Sequence, residues 1–178
     1  MIIFSITITY LKKAFVSIII FSSTLAFSQN FQKIQISKKI LIKTFKSTID
    51  QKKRNRITIN SNPWSSETEK YFKSDTVKFK NLSTHSENYC NIINWTFYRK
   101  NKFIRSFGEY CDEPASVKVT TENDYFNFKL TEKNQSLFFD LYSKEKLIEK
   151  FEILSLEKYQ SLSYKNETQY ILTLKRIR

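Results

Sequence analysis

Cys90 and Cys111 are the only cysteines of the chain. They stand at the two feet of one stretch, YCNIINWTFYRKNKFIRSFGEYCDEP, from Tyr89 to Pro114. Two cysteines so placed either close a disulfide or stay reduced as small buried groups. Other reactive constellations are thin. The single histidine, His85, lies in the polar run LSTHSEN, where a solvated imidazole is expected. One His and two Cys do not make a four-ligand metal centre. With Gly108 as the only glycine, there is no Gly-rich phosphate loop and no G-x-S-x-G nucleophile turn. Carboxylates pair locally at Glu67/Glu69, Asp112/Glu113 and Glu122/Asp124, each among polar neighbours. Two such groups across one cleft could cleave a glycosidic bond, but nothing in their spacing sets that geometry. The expectation is a protein that is not an enzyme, with no catalytic residues, no cofactor and no metal.

The elements that would position the cysteines read as a β-hairpin. Asn91 to Tyr98 and Phe103 to Phe107 are rich in β-branched and aromatic residues, with Ile93, Trp95 and Phe97 sharing a face. Arg99-Lys100-Asn101-Lys102 is the polar turn between them. With Lys100 and Asn101 as its central pair, Tyr98 faces Phe103, Thr96 faces Arg105 and Cys90 faces Cys111. A bulge at Gly108 would shift that register. A disulfide closing residues 90–111 would be worth roughly 3 kcal/mol in the chain-entropy account.

The first residues read as an export signal. Lys12 and Lys13 precede the apolar run Ala14–Phe27, which is too short for a comfortable membrane span. Ala26-Phe27-Ser28 has the small-x-small pattern of a cleavage site before Gln29. Residues 1–28 are therefore expected to be a signal peptide and 29–178 a single domain, exported to a periplasmic or extracellular place. Contact with membrane is expected only through the signal before cleavage. Export also permits the disulfide.

The chain has 178 residues and a formal net charge of +13. Such charge suits nucleic acid, anionic lipid or envelope polymer. The basic residues are spread along the whole chain, and an exported protein seldom meets nucleic acid, so no nucleic-acid partner is expected. The densest basic run is Lys52, Lys53, Arg54 and Arg56.

The remaining pattern is short strands with polar turns. Residues 31–60 fit two templates: Phe31, Ile34, Leu41 and Phe45 a helical stripe, Ile34/Ile36 and Ile40/Ile42 an alternation. The favoured reading is a turn of helix near Phe31, a strand from Ile40 to Lys46, then a strand from Arg56 to Asn60. SNPWSSETEK reads as a loop with Trp64 closing one end of the fold. Strands follow over Asp75–Lys80, the hairpin, Ser116–Thr120, Tyr125–Leu130, Leu137–Tyr142, Leu147–Leu154 and Gln169–Ile177, with a bend near Leu156–Lys158. This spacing predicts an all-β sandwich or barrel, and the short sequential turns favour an antiparallel up-and-down meander barrel of about 8–10 strands.

The layout resembles the small lipocalin-like proteins of bacterial envelopes, with their calycin-type β-barrel. The residues that carry the resemblance are the export signal, Trp95-Thr96-Phe97, Asn101-Lys102-Phe103, Phe151 to Leu156, and Leu172 to Arg176. The hairpin looks like the W/Y-x-F…N-G-x-F unit of that group, with Lys102 where Gly is usual. Lys43-Thr44-Phe45 stands where lipocalins carry G-x-W on the first strand, and Arg176 stands for the arginine packed over that tryptophan. The resemblance implies an antiparallel barrel with room for a small hydrophobic ligand, lined by Trp95, Phe97, Phe126, Phe128 and Phe139. The other expectation is an envelope protein whose basic surface, Lys52, Lys53, Arg54 and Arg56, meets anionic polymer, lipid or protein.

Overall fold

In the computed structural model, the described residues are 32–49, 62–81, 90–111, 116–118, 121–160 and 168–178. Along β-strands such as those at 125–133 and 136–143, apolar and polar side chains alternate and the apolar face is buried. Phe126, Phe128 and Leu130 share one such face, and Leu137, Phe139 and Leu141 another. The strands are β1 (Gln32–Lys33), β2 (Trp64–Glu67), β3 (Thr76–Asn81), β4 (Asn91–Arg99), β5 (Lys102–Glu109), β6 (Ser116–Lys118), β7 (Tyr125–Lys133), β8 (Ser136–Ser143), β9 (Lys146–Gln160) and β10 (Thr168–Ile177). Among the described residues there are also two helices, α1 (Lys38–Ser47) and α2 (Thr68–Lys73), and a 3-10 turn at Glu122–Asp124.

Eight strands close an antiparallel up-and-down barrel in the order β2-β4-β5-β7-β8-β9-β10-β3 and back to β2. The ring follows chain order except at β2, which lies between β3 and β4. β1 adds to the outer end of β9, and β6 adds to the end of β5. Closure leaves the ring without an open edge. The hairpin turns at Asn134-Gln135 and Lys144-Glu145 take positive φ at both residues, the twist that a two-residue antiparallel turn needs.

Cys90 and Cys111 are bonded, with their Cα atoms 4.8 Å apart. The β4–β5 turn is centred on Lys100 and Asn101, but a bulge between Phe97 and Arg99 moves the register by one. Phe97, not Tyr98, faces Phe103, and Thr96 faces Ile104, not Arg105. Cys90 therefore sits across from Tyr110, whose N–H donates to the Cys90 carbonyl at 2.8 Å. The bulge falls near the turn and not at Gly108. Gly108 answers another need: a Cβ there would meet the Tyr110 ring at 2.5 Å.

Four further expectations are corrected. Residues 40–46 are helix, not strand, because Leu41, Thr44, Phe45 and Thr48 fall on one helical face and all are buried. Ser37 starts that helix, accepting from the Ile40 N–H at 3.3 Å. Gln32–Lys33 is a strand and not a turn of helix. Within SNPWSSETEK, residues 64–70 are β2 running into α2, not a loop. β9 continues unbroken through Leu156–Lys158, which pair with β10. The reading of 1–28 as a signal, the strand at 56–60 and His85 lie outside the described residues.

Candidate functional site

The barrel interior is built from aromatic rings and aliphatic side chains. Trp95 and Phe139 are fully buried, and Phe97, Phe126 and Phe128 are no more than 3% exposed. The structure brings these five sequence-chosen residues into one core. They pack on one another and on neighbours the sequence reading did not select. Trp95 stacks on Phe139 at 5.4 Å between centroids and lies 4.1 Å from Phe79. Phe128 stacks on Phe139 at 4.6 Å, and Phe126 on Phe103 at 5.6 Å.

Each end of this core is roofed by a helix. At the end of the β4–β5 turn, α1 lays Leu41 and Phe45 onto the rings. Phe45 stacks on Phe97 at 4.5 Å and meets Trp64 and Phe128 edge-on at 5.5 Å. The Trp64 indole N–H donates to the Thr48 hydroxyl at 3.1 Å, which in turn donates to the Phe45 carbonyl. Trp64 closes this end as the sequence suggests, from a strand. The outer face of α1 carries Lys38, Lys39, Lys43 and Lys46, all exposed, and α1 contains no carboxylate. The sequence-chosen patch Lys52, Lys53, Arg54 and Arg56 lies outside the described residues.

At the opposite end, α2 is held by charge. Tyr71 projects into the core, in ring contact with Phe79 and Trp95. Its hydroxyl donates to Glu149 Oε1 at 2.8 Å. Arg105 donates to the same oxygen at 3.3 Å, and Arg176 to Glu149 Oε2. Arg176 also donates to the Tyr71 carbonyl at 2.5 Å. These side chains are 13–17% exposed for Glu149 and the two arginines. Burial, reinforced by the Glu149 carboxylate, pushes the Tyr71 phenol well above its ordinary pKa, while Arg105 pulls the other way. The phenol therefore stays protonated and works as a donor.

Arg176 does not pack over Phe45, the residue standing for the lipocalin tryptophan. It lies over Tyr71 at 5.1 Å and Phe151 at 4.9 Å. The signal for this cluster is visible in strand parity: Arg105, Glu149 and Arg176 each occupy an inward position, in step with Phe103, Phe151 and Leu174.

The carboxylate pairs have local roles. Glu67 and Glu69 pair with Lys70 and Lys73 at 2.7 Å on the surface of α2. Asp124 accepts from the Thr121 N–H in a capping box. Asp112 and Glu113 lie outside the described residues. Among the described residues, no group of three His, Cys, Asp or Glu stands together as a metal site. Nor, among them, is any helix long and apolar enough to cross a membrane.

No family model, no curated protein and no solved structure matches this chain. The barrel itself is compatible with a lipocalin-like architecture, and the site must be read from its own residues.

Proposed function

We propose that this chain is an exported, non-catalytic binding domain that meets a polyanionic surface through the lysine face of α1. The observation that carries the reading is the asymmetry of that helix: its apolar face is sunk into the core, while Lys38, Lys39, Lys43 and Lys46 project outward without a carboxylate on the helix. Clustered ammonium groups at an exposed face raise the local concentration of polyanions, and salt screens the attraction. The closed barrel is then a platform that presents the helix. The disulfide and the apolar leader support export.

The test is co-sedimentation with phosphatidylglycerol vesicles and with dextran sulfate at about 0.05 and about 0.3 M salt, where the Debye length falls well below 10 Å. Binding should be present at low salt, fade at high salt, and be lost when the four lysines become glutamine. Association indifferent to salt would overturn the reading.

A second reading has its own support: the core is lined by apolar rings and aliphatic side chains, the surface a small hydrophobic ligand prefers. Such a ligand would lie against rings such as Phe97 and Phe128. Native mass spectrometry of protein from its own host would show added mass, lost on denaturation, if it is held there.

A further inference from the structure

At the α2 end, the charges do not balance. Arg105 and Arg176 share Glu149, and among the described residues it is the one carboxylate paired with either guanidinium. One positive charge is left over among side chains that are 83% or more buried, since Arg105 and Arg176 are each 17% exposed. Among the described residues, the buried Nε–H groups of both arginines find no acceptor. A buried charged donor without an acceptor is costly, and natural structures rarely leave two side by side without use.

The surroundings say what would answer them. Arg105 lies over Phe126 at 4.4 Å and over Phe107 at 5.9 Å. Phe107 is also part of the lining of a groove of about 280 Å³, bordered by Thr68, Asn91, Glu109, Ser116 and Lys118. Strand register sets these side chains in rows. Asn91, Glu109 and Ser116 stand abreast on β4, β5 and β6, and Phe107 stands abreast of Lys118. The groove thus lies on the inner side of the sheet where β6 extends it, and Phe107 is the ring shared with the guanidinium.

We propose that this end of the barrel binds a small monocarboxylate, with its carboxylate on Arg105, beside Arg176, and an apolar body in the groove against Phe107. A guanidinium fork matches a carboxylate in plane and in donor spacing. A single negative charge cancels the single excess positive one, whereas phosphate near its second ionisation would overshoot it. Aromatic walls favour an acid with an apolar body over an inorganic ion. Glu149 is both the positioning residue of the two arginines and the ligand's internal competitor. This site involves none of the α1 lysines and does not rest on the surface reading.

The experiment titrates the intact protein with sodium benzoate, at constant ionic strength, while following the Nε–H resonances of Arg105 and Arg176 by NMR. Benzyl alcohol and inorganic phosphate serve as the neutral and inorganic arms. Benzoate should move both resonances downfield and saturate, and benzyl alcohol should leave them in place. Arg105→Gln should weaken benzoate binding by roughly 10- to 100-fold, the usual cost of a charge-assisted hydrogen bond. Glu149→Gln should tighten it by removing the competitor. Three results would overturn the proposal: resonances that do not respond to benzoate, an equal response to benzyl alcohol, or a response to phosphate alone. Should Arg105→Gln fail to fold, the wild-type resonances decide.

Discussion

The two ends of the barrel meet one requirement by opposite means. At one end, α1 is held by ring stacking, with Phe45 against Phe97, Trp64 and Phe128. At the other, α2 is held by Glu149 and two arginines around the Tyr71 hydroxyl, with the Cys90–Cys111 bond at the feet of the neighbouring strands. Apolar stacking gains little specificity and responds to neither salt nor pH. The ionic end fixes one arrangement of donors and acceptors and inherits sensitivity to both. One end thus carries its charge on the outer surface of α1, the other within the barrel.

That contrast can be broken by substitution. Phe45→Ala should cost about 3–5 kcal/mol in urea unfolding, since it empties a fully packed position at the centre of four rings. A loss near 1 kcal/mol would mean that α1 is only loosely seated. Glu149→Ala should cost about 3 kcal/mol, because it strands two partly buried guanidiniums. Unlike the Phe45 effect, it should shrink as salt is raised. Replacing both cysteines by serine should lower stability by about 3 kcal/mol, read as a drop in the urea midpoint. Tyr71→Phe should cost about 1.5–3 kcal/mol by removing a hydrogen bond to a carboxylate. It also has a pH signature. The native phenol has a raised pKa, so its contribution is whole below the unfolded value of about 10 and declines as pH rises beyond it, where the unfolded chain gives up that proton first. Unfolding curves above pH ~10 should fall more steeply for wild type than for Tyr71→Phe. The smallest effect is expected from Ser37→Ala, about 1 kcal/mol, through loss of the α1 cap.

Most of the barrel was legible because half-buried strands alternate. Tyr125–Leu130, Leu137–Tyr142 and Gln169–Ile177 could be read directly from that period, and the cysteines marked the hairpin. Helix α1 was harder: in KKILIKTFKS, Ile40 and Ile42 mimic alternation, while Leu41 and Phe45 keep the helical spacing that tertiary packing selects. Ser37 was the available tie-breaker. The register slip at Tyr98 left no mark, since a bulge costs one residue and needs no special side chain here. The placement of β2 between β3 and β4 is equally silent, as is the role of Trp64 as a strand residue. The α2-end cluster was visible only as charge at inward strand positions, a signal that needs the strand boundaries first.

The position of β10 has a consequence for how the chain acquires its shape. β10 is the seam: it pairs with β3 on one side and β9 on the other, joining residues as distant in sequence as Val77 and Leu174. Until that last strand has emerged, β3 and β9 each present an unpaired flank that another chain could occupy. Closure by such long-range pairing is slow. The interval between synthesis of β9 and docking of β10 is therefore when the nascent protein is most open to mispairing, and shortening the chain within β10 should yield aggregate in place of a smaller barrel.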